Sequence, residues 1–162
     1  MEIKFDKTEL VDIINEDIDR LAARSFNEEG GSLFDSIRIK SRDAGVQGRM
    51  LEERDAKLRE LLAFCLGSRE TEDIKDDKGM VTGVSLVYDV MEENCSKVPC
   101  ASSLRVLLRK YLTESVLYDW YTKHGIASSF TYDYIEALES KIVCTLRSGY
   151  TKKPLQPWGP RN

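Results

Sequence analysis

Cysteine and histidine are the residues of this chain most able to do chemistry, because they bind metals and serve as nucleophiles or bases. The sequence has four cysteines and one histidine. Cys95 and Cys100, in "ENCSKVPC", could form a disulfide, hold half of a metal site, or stay reduced. Because there is no CxxC pair and His124 is the sole histidine, the sequence favours reduced thiols and predicts no metal site.

The remaining cysteines and the histidine fit structural roles. Cys65 and Cys144 lie among apolar residues at helical spacing, where a thiol behaves as a small buried hydrophobe. His124 directly precedes Gly125 at a predicted helix end, where the helix dipole favours an imidazole as a cap. A catalytic nucleophile needs a base beside it, and the one histidine that could serve is better explained as this cap.

Carboxylates are the last candidates for chemistry. The chain has 28 Asp and Glu residues, so chance pairs are expected and carry little weight. The acidic group Glu72, Asp73, Asp76 and Asp77 resembles a solvated turn, with a weak cation site as the alternative. We therefore expect no catalytic residue, no cofactor and no enzyme activity.

Length and charge set the wider limits. The 162 residues suit one domain over residues 1–150, followed by a tail over residues 151–162. The net charge of −4 argues against nucleic acid as the default partner. The first residues, "MEIKFDKTEL", have no apolar signal region and no run is long enough to span a membrane, so the sequence predicts a cytoplasmic protein without a membrane partner.

Apolar residues at intervals of three and four, such as Leu58, Leu61 and Leu62 on the apolar face of the second helix, predict a mainly α fold, a helical bundle of about four helices. Asp6 is the predicted cap of the first helix, and Ser128 or Ser129 that of the last. The short link before the last helix predicts that the third and fourth helices pack antiparallel, with the third at the centre of the core. The predicted helices cover about residues 8–24, 43–66, 102–125 and 128–149.

A β-hairpin is predicted at about residues 71–92, inserted between the second and third helices. "VSLVYDVMEEN" alternates with period two, and residues 71–75 can pair with it across a turn at residues 76–79. A two-stranded hairpin is marginal alone, so it must pack on the helices or on a neighbouring chain. "DSIRIKS", with Ile37 and Ile39, could add an edge strand or form a loop.

Aromatic residues and the tail suggest surfaces for association. Tyr118 points about 200° away from Trp120 on an ideal helix, so the third helix is either wrapped on two sides by its own domain or turns one face toward another subunit. The tail "TKKPLQPWGPRN" has three prolines and is predicted to be an extended arm, unless it frays or folds back on its own domain. The interface candidates are Leu155, Trp158, Tyr118, Tyr132 and, for the hairpin, Val87.

The order of elements resembles a family of virion-assembly proteins. Amphipathic helices, a hairpin, a long helix "LLRKYLTESVLYDWYTKHG", a closing helix "YDYIEALESKIVCTLRSGY" and a basic extension with prolines are similar to head-tail adaptor or connector proteins of tailed phages and prophages. The resemblance covers about residues 40–155. It implies a structural protein that forms rings, with hairpin and tail reaching a neighbouring subunit.

The sequence thus predicts a non-enzymatic structural protein that self-associates, and the resemblance implies a place in a phage particle alongside other virion or protein subunits. One alternative is a cytosolic adaptor or regulatory module that binds a single protein partner. A second is a small metal-binding protein built on Cys95, Cys100 and His124. The first would form homo-oligomers, the second would stay monomeric until its partner is added, and the third would purify with metal.

Overall fold

The computed structural model of the protein describes residues 1–29, 44–91, 100–127 and 130–148. These residues form a mainly helical fold, as predicted, with one small antiparallel sheet of three strands. The helices are α1 (Lys7–Glu29), α2 (Ala44–Leu61), α3 (Cys100–Lys123) and α4 (Tyr132–Ser148). The strands are β1 (Glu2–Asp6), β2 (Thr71–Lys75) and β3 (Val81–Asp89).

Side-chain caps fix where two of the helices begin. Asp6 Oδ1 accepts the backbone N–H groups of Thr8 at 2.8 Å and Glu9 at 3.4 Å, which confirms the predicted cap of α1. At α4 the cap is Thr131, whose Oγ1 accepts the Tyr134 N–H at 3.2 Å. The prediction of a serine cap at residues 128–129 was therefore wrong about the start of α4, and those two serines lie outside the described residues.

The predicted hairpin is present, and it belongs to a larger sheet. β2 and β3 pair antiparallel, and β1 pairs with the other edge of β3, giving the order β1-β3-β2. Asp76 Oδ1 shapes the turn by accepting the N–H groups of Lys78 and Met80, both at 2.9 Å, and Gly79 takes a positive φ of 80° there. The other strand candidate, with Ile37 and Ile39, lies outside the described residues.

The core forms around α3, which packs against α1, α2, α4 and β1. Two hydrogen bonds join α3 to α4: Tyr111 bonds to Glu139, and Glu114 bonds to Tyr134. The later residue of α3 thus meets the earlier residue of α4, so these helices are antiparallel, as predicted. Alternate strand residues face this core. Its largest fully buried side chains include Trp120, Tyr88, Tyr111, Leu10, Ile14 and Leu51.

Two predicted buried residues are exposed in the structure. Cys65 is fully buried, as expected, but Cys144 is exposed, so its assignment to the core was wrong. Leu61, predicted on the apolar face of the second helix, is 37% exposed. Both residues lie where α2 and α4 diverge and leave a groove between them. Among the described residues, no helix is long and apolar enough to cross a membrane.

Candidate interaction surfaces

The interface residues predicted from the sequence fall in different environments. Leu155 and Trp158 lie outside the described residues. Tyr118 is partly buried against the core, which leaves it little free surface. Tyr132 is 52% exposed at the start of α4, whereas Val87 is fully buried within its own chain.

An ion pair crosses the outer face of the sheet where Val87 lies. Lys4 on β1 pairs with Glu72 on β2, and these strands flank β3 on opposite sides. Since Lys4 lies opposite Val87 and Glu72 opposite Ser85, the pair crosses the outer face of β3 at Val87. Arg69 joins the same cluster through Glu72 at 2.9 Å. In this structure Val87 is therefore not an available contact for a partner.

The candidate groups for chemistry make structural contacts. His124 Nδ1 lies 2.8 Å from the carbonyl oxygen of Trp120, and the two rings are 4.3 Å apart, as a residue packed at the end of α3 would be. Within the described ranges no three His, Cys, Asp or Glu residues are grouped to hold a metal ion. Cys95 and the side chain of Cys100 lie outside those ranges, so the disulfide and metal alternatives stay predictions.

A cleft between the starts of α1 and α2 is lined largely by polar side chains. Its volume is about 360 Å³, and Lys7, Thr8, Asp12, Arg49 and Glu52 are part of its lining. Lys7 and Glu52 form an ion pair across it. This pairing joins the two helices, and the mixed charges give the cleft no preference for one sign of ligand.

A buried polar cluster ties α2 to the sheet, and we call it the lock: Asp55, Arg59 and Tyr88. Asp55 accepts hydrogen bonds from the Tyr88 hydroxyl and, at 2.8 Å, from Arg59 Nε. The Arg59 guanidinium lies 4.7 Å from the Tyr88 ring centroid. Its other nitrogens donate to the carbonyl oxygens of Val87 at 3.0 Å and Glu70 at 2.8 Å. Every described polar group of the lock is thus paired, which burial requires.

Burial and the neighbouring carboxylate raise the pKa of Tyr88 well above its usual value, so its hydroxyl stays protonated and donates to Asp55. A shifted pKa marks a functional site when the group lines a cleft. Neither Asp55 nor Tyr88 lines the α1–α2 cleft or the α2–α4 groove. The lock is therefore best interpreted as a structural contact.

A second set of contacts joins α2, α3 and α4. Arg54 donates to both oxygens of Asp119, with Nε at 2.5 Å, and Lys57 lies 2.9 Å from Glu139. Tyr111 donates to Glu139 at 3.0 Å, and burial followed by this carboxylate raises the pKa of Tyr111 to about 12. These contacts hold the three helices together and leave one side of Glu139 facing the α2–α4 groove.

The α2–α4 groove is an exposed surface whose lining is half apolar and half polar. It has a volume of about 440 Å³ and is lined by Leu61, Glu136, Glu139, Ser140, Val143 and Cys144. Phe64, 39% exposed, stands at one end, where Arg147 lies 5.6 Å from its ring. Tyr132 stands at the other end, hydrogen-bonded to Glu136 one turn along α4. Exposed aromatics beside a groove that mixes apolar and polar side chains are typical of a protein-binding surface.

The hairpin tip is the second exposed apolar surface. All residues from 75 to 82 are exposed, and within them Met80 and Val81 are 66% and 57% exposed. β1 pairs with β3 only from Ser85 onward, so the tip extends past the three-stranded part of the sheet. Adjacent large apolar side chains on a projecting ribbon cost solvation free energy unless a partner covers them.

Sequence reasoning identified Tyr132 but missed Met80, Val81, Leu61 and Phe64. Met80 and Val81 carried a signal, because two apolar residues directly follow the polar turn at 76–79. Leu61 and Phe64 carried none, since their spacing matches that of the buried residues Leu58, Leu62 and Cys65 and does not show which of them a neighbouring element covers.

No family model, curated protein or solved structure matches this chain significantly. The surfaces themselves therefore carry the argument about function.

Proposed function

We propose that this protein is a non-enzymatic structural protein that self-associates through apolar surface outside its core. The observation that carries the proposal is the hairpin tip, where Met80 and Val81 stand exposed side by side. A ribbon that ends in two apolar side chains is suited to insert into a neighbouring subunit. The polar clusters, in contrast, are explained by contacts within the chain.

The free energy available at the tip fits a repeated contact better than a single tight one. Burying the exposed parts of Met80 and Val81 would contribute about 2 to 4 kcal/mol before ordering costs. A contact of that size is weak alone and becomes effective when several copies close together. The resemblance to phage head-tail connectors likewise implies a hairpin that contacts a neighbouring subunit. We therefore include a role in a virion in this proposal.

The test is the mass of the protein in solution over a wide range of concentration, by light scattering after size exclusion in reducing buffer. The unchanged protein is compared with the double variant Met80→Ser, Val81→Thr. The backbone N–H and carbonyl of Met80 carry its turn contacts, so its side chain can change without breaking them. Val106→Thr is the matched control, because Val106 is 55% exposed on α3, away from both surfaces.

We expect the unchanged protein and the control to gain mass with concentration while the double variant stays near the mass of one chain. A protein that remains a single chain at every concentration would contradict self-association. The tail is tested in the same series with Trp158→Ala, since the role of Leu155 and Trp158 stays a prediction.

A second candidate function is an adaptor that binds one partner protein. The α2–α4 groove favours it, because aromatic side chains bound a partly apolar surface large enough for several partner side chains. This function predicts a single-chain mass until the partner is added.

A further inference from the structure

We infer that the α2–α4 groove of one copy receives the hairpin tip of a second copy, in a head-to-tail contact. This inference rests on the proposed self-association and names the surface that accepts the tip. It uses two different patches of one chain, and each is exposed among the described residues.

The two patches lie toward opposite ends of the sheet. Val81 begins β3 at the tip, while Val90, just past its end, bridges to Leu66, two residues after Phe64. The nine steps from Val81 to Val90 span about 30 Å at about 3.3 Å per residue. A tip therefore cannot fold onto the groove of its own chain without unpairing the sheet, so a second copy has to supply it.

The chemistry of the two patches is complementary. The apolar side chains of Met80 and Val81 can pack beside those of Leu61 and Val143, which line the groove. The groove lining carries two carboxylates, Glu136 and Glu139, of which Glu139 is already paired with Lys57. The tip carries the exposed cations Lys75 and Lys78 together with Asp76, which holds the turn, and Asp77, so a tip lysine can pair with Glu136. Asp77 on the tip can meet Arg147, which lies beside Phe64 at the groove's end.

A contact between unlike patches has a consequence for assembly. Each copy that offers a tip and a groove can add another copy, and the series ends when a ring closes or continues as a filament. A contact between two like tips would stop at a dimer. The order of assembly therefore distinguishes the two arrangements.

The groove is tested with Ser140→Arg, which fills an exposed lining position, adds a charge that repels the tip lysines and removes no core contact. Phe64→Ala is a second groove variant. Ala137→Arg is the matched control, because Ala137 is exposed on α4 but does not line the groove. Circular dichroism and urea unfolding confirm that each variant is folded.

We expect both groove variants to associate at least about tenfold more weakly than the unchanged protein, as the tip variant does, while Ala137→Arg associates normally. The decisive experiment mixes the folded tip variant with the folded Ser140→Arg variant. Each retains the patch that the other lacks, so the mixture should form a dimer of twice the single-chain mass and grow no further.

The outcomes separate this inference from the proposed function. If the unchanged protein does not associate, self-association fails and the inference with it. If it associates and Ser140→Arg and Phe64→Ala do as well, self-association stands and the groove is not the acceptor. If groove variants and Trp158→Ala lose association but the tip variant keeps it, the groove accepts the C-terminal tail instead, and the inference is overturned.

Discussion

Helix α2 and the turn after it place opposite kinds of residue in opposite environments. In the lock, the charged residues Asp55 and Arg59 are withdrawn from water, each with a side chain 12% exposed. In the groove, the apolar residues Leu61 and Phe64 are more than a third exposed. The two regions are neighbours along the chain, since Leu61 follows Arg59 by two residues. Both invert the usual distribution of charged and apolar residues.

The difference between them is whether the exception is satisfied within the chain. The lock is complete within the chain. The Tyr88 hydroxyl donates to Asp55, and backbone carbonyl oxygens accept from Arg59, so these buried polar groups do not lose hydrogen bonds when they leave water. The groove has no comparable cover among the described residues. Buried charges that are paired within the chain stabilise the fold, whereas exposed apolar side chains that nothing in the chain covers are surface for a partner.

Breaking the lock at its charged centre should have the largest effect. Arg59→Met leaves the Asp55 carboxylate buried without its cation and removes the side-chain donor to the carbonyl oxygens of Val87 and Glu70, of which Glu70 keeps the Val87 N–H. We expect the free energy of unfolding to fall by about 3 to 5 kcal/mol, measured by urea unfolding. Leu61→Gln on the same helix is the comparison and should cost clearly less. Equal losses for the two variants would contradict the distinction between lock and groove.

Removing the neutral member of the lock should cost less. Tyr88→Phe keeps the ring, which contacts Phe5 and Arg59, and deletes the hydroxyl that donates to Asp55. One buried carboxylate oxygen then lacks that donor, and we expect a loss of about 1 to 3 kcal/mol. Tyr134→Phe is the control, because its partner Glu114 is reached by water. A larger loss for Tyr134→Phe in urea unfolding would argue against the lock.

Alkali should weaken the helix contacts by a smaller amount. The pKa of Tyr111 is raised to about 12 by burial and Glu139, and that of Tyr134 to about 12 by its hydrogen bond to Glu114. Because both values lie above the usual tyrosine value, their stabilisation is fully present below about pH 10 and is lost as the pH rises toward 12. Unfolding free energies across this interval should fall. The fall should be shallower in Tyr111→Phe, and an unchanged slope would exclude this residue as its source.

The smallest effect on stability is expected in the groove. Ser140→Arg changes an exposed residue that forms no core contact, so the free energy of unfolding should stay within about 0.5 kcal/mol of the unchanged protein. The same variant should impair association. A variant that unfolds more easily and associates normally would reverse the comparison. Thermal unfolding and light scattering on one sample measure both quantities.

Most of the helical fold could be predicted from the sequence, because the apolar spacing of α1, α2 and α3 is long and regular. The cap at Asp6 and the turn at Asp76 were also predictable, since both depend on local side-chain chemistry. β1 was missed, although Ile3 and Phe5 alternate with charged residues. An alternation of only five residues, directly before a helix, is too short to distinguish a strand from an irregular segment.

The surfaces were less predictable, because they depend on contacts far apart in the chain. Val87 lies on the face of β3 opposite to Leu86 and Tyr88, yet it is buried, and an ion pair between Lys4 and Glu72 on the flanking strands crosses that face. The exposure of Cys144 depends on how α4 meets α2. Spacing within one helix shows which residues share a face, and it does not show where a neighbouring helix stops covering that face.

The pairing of β1 with β3 also sets an order of events during protein synthesis. Residues 2–6 pair with residues 85–89, so the first strand leaves the ribosome about eighty residues before its partner. At 5 to 20 residues per second this interval lasts roughly 4 to 16 s. Ile3 and Phe5 have no β3 to pair with during that time. The nascent chain therefore exposes two apolar side chains without their partner strand for that interval, during which chaperones can bind them.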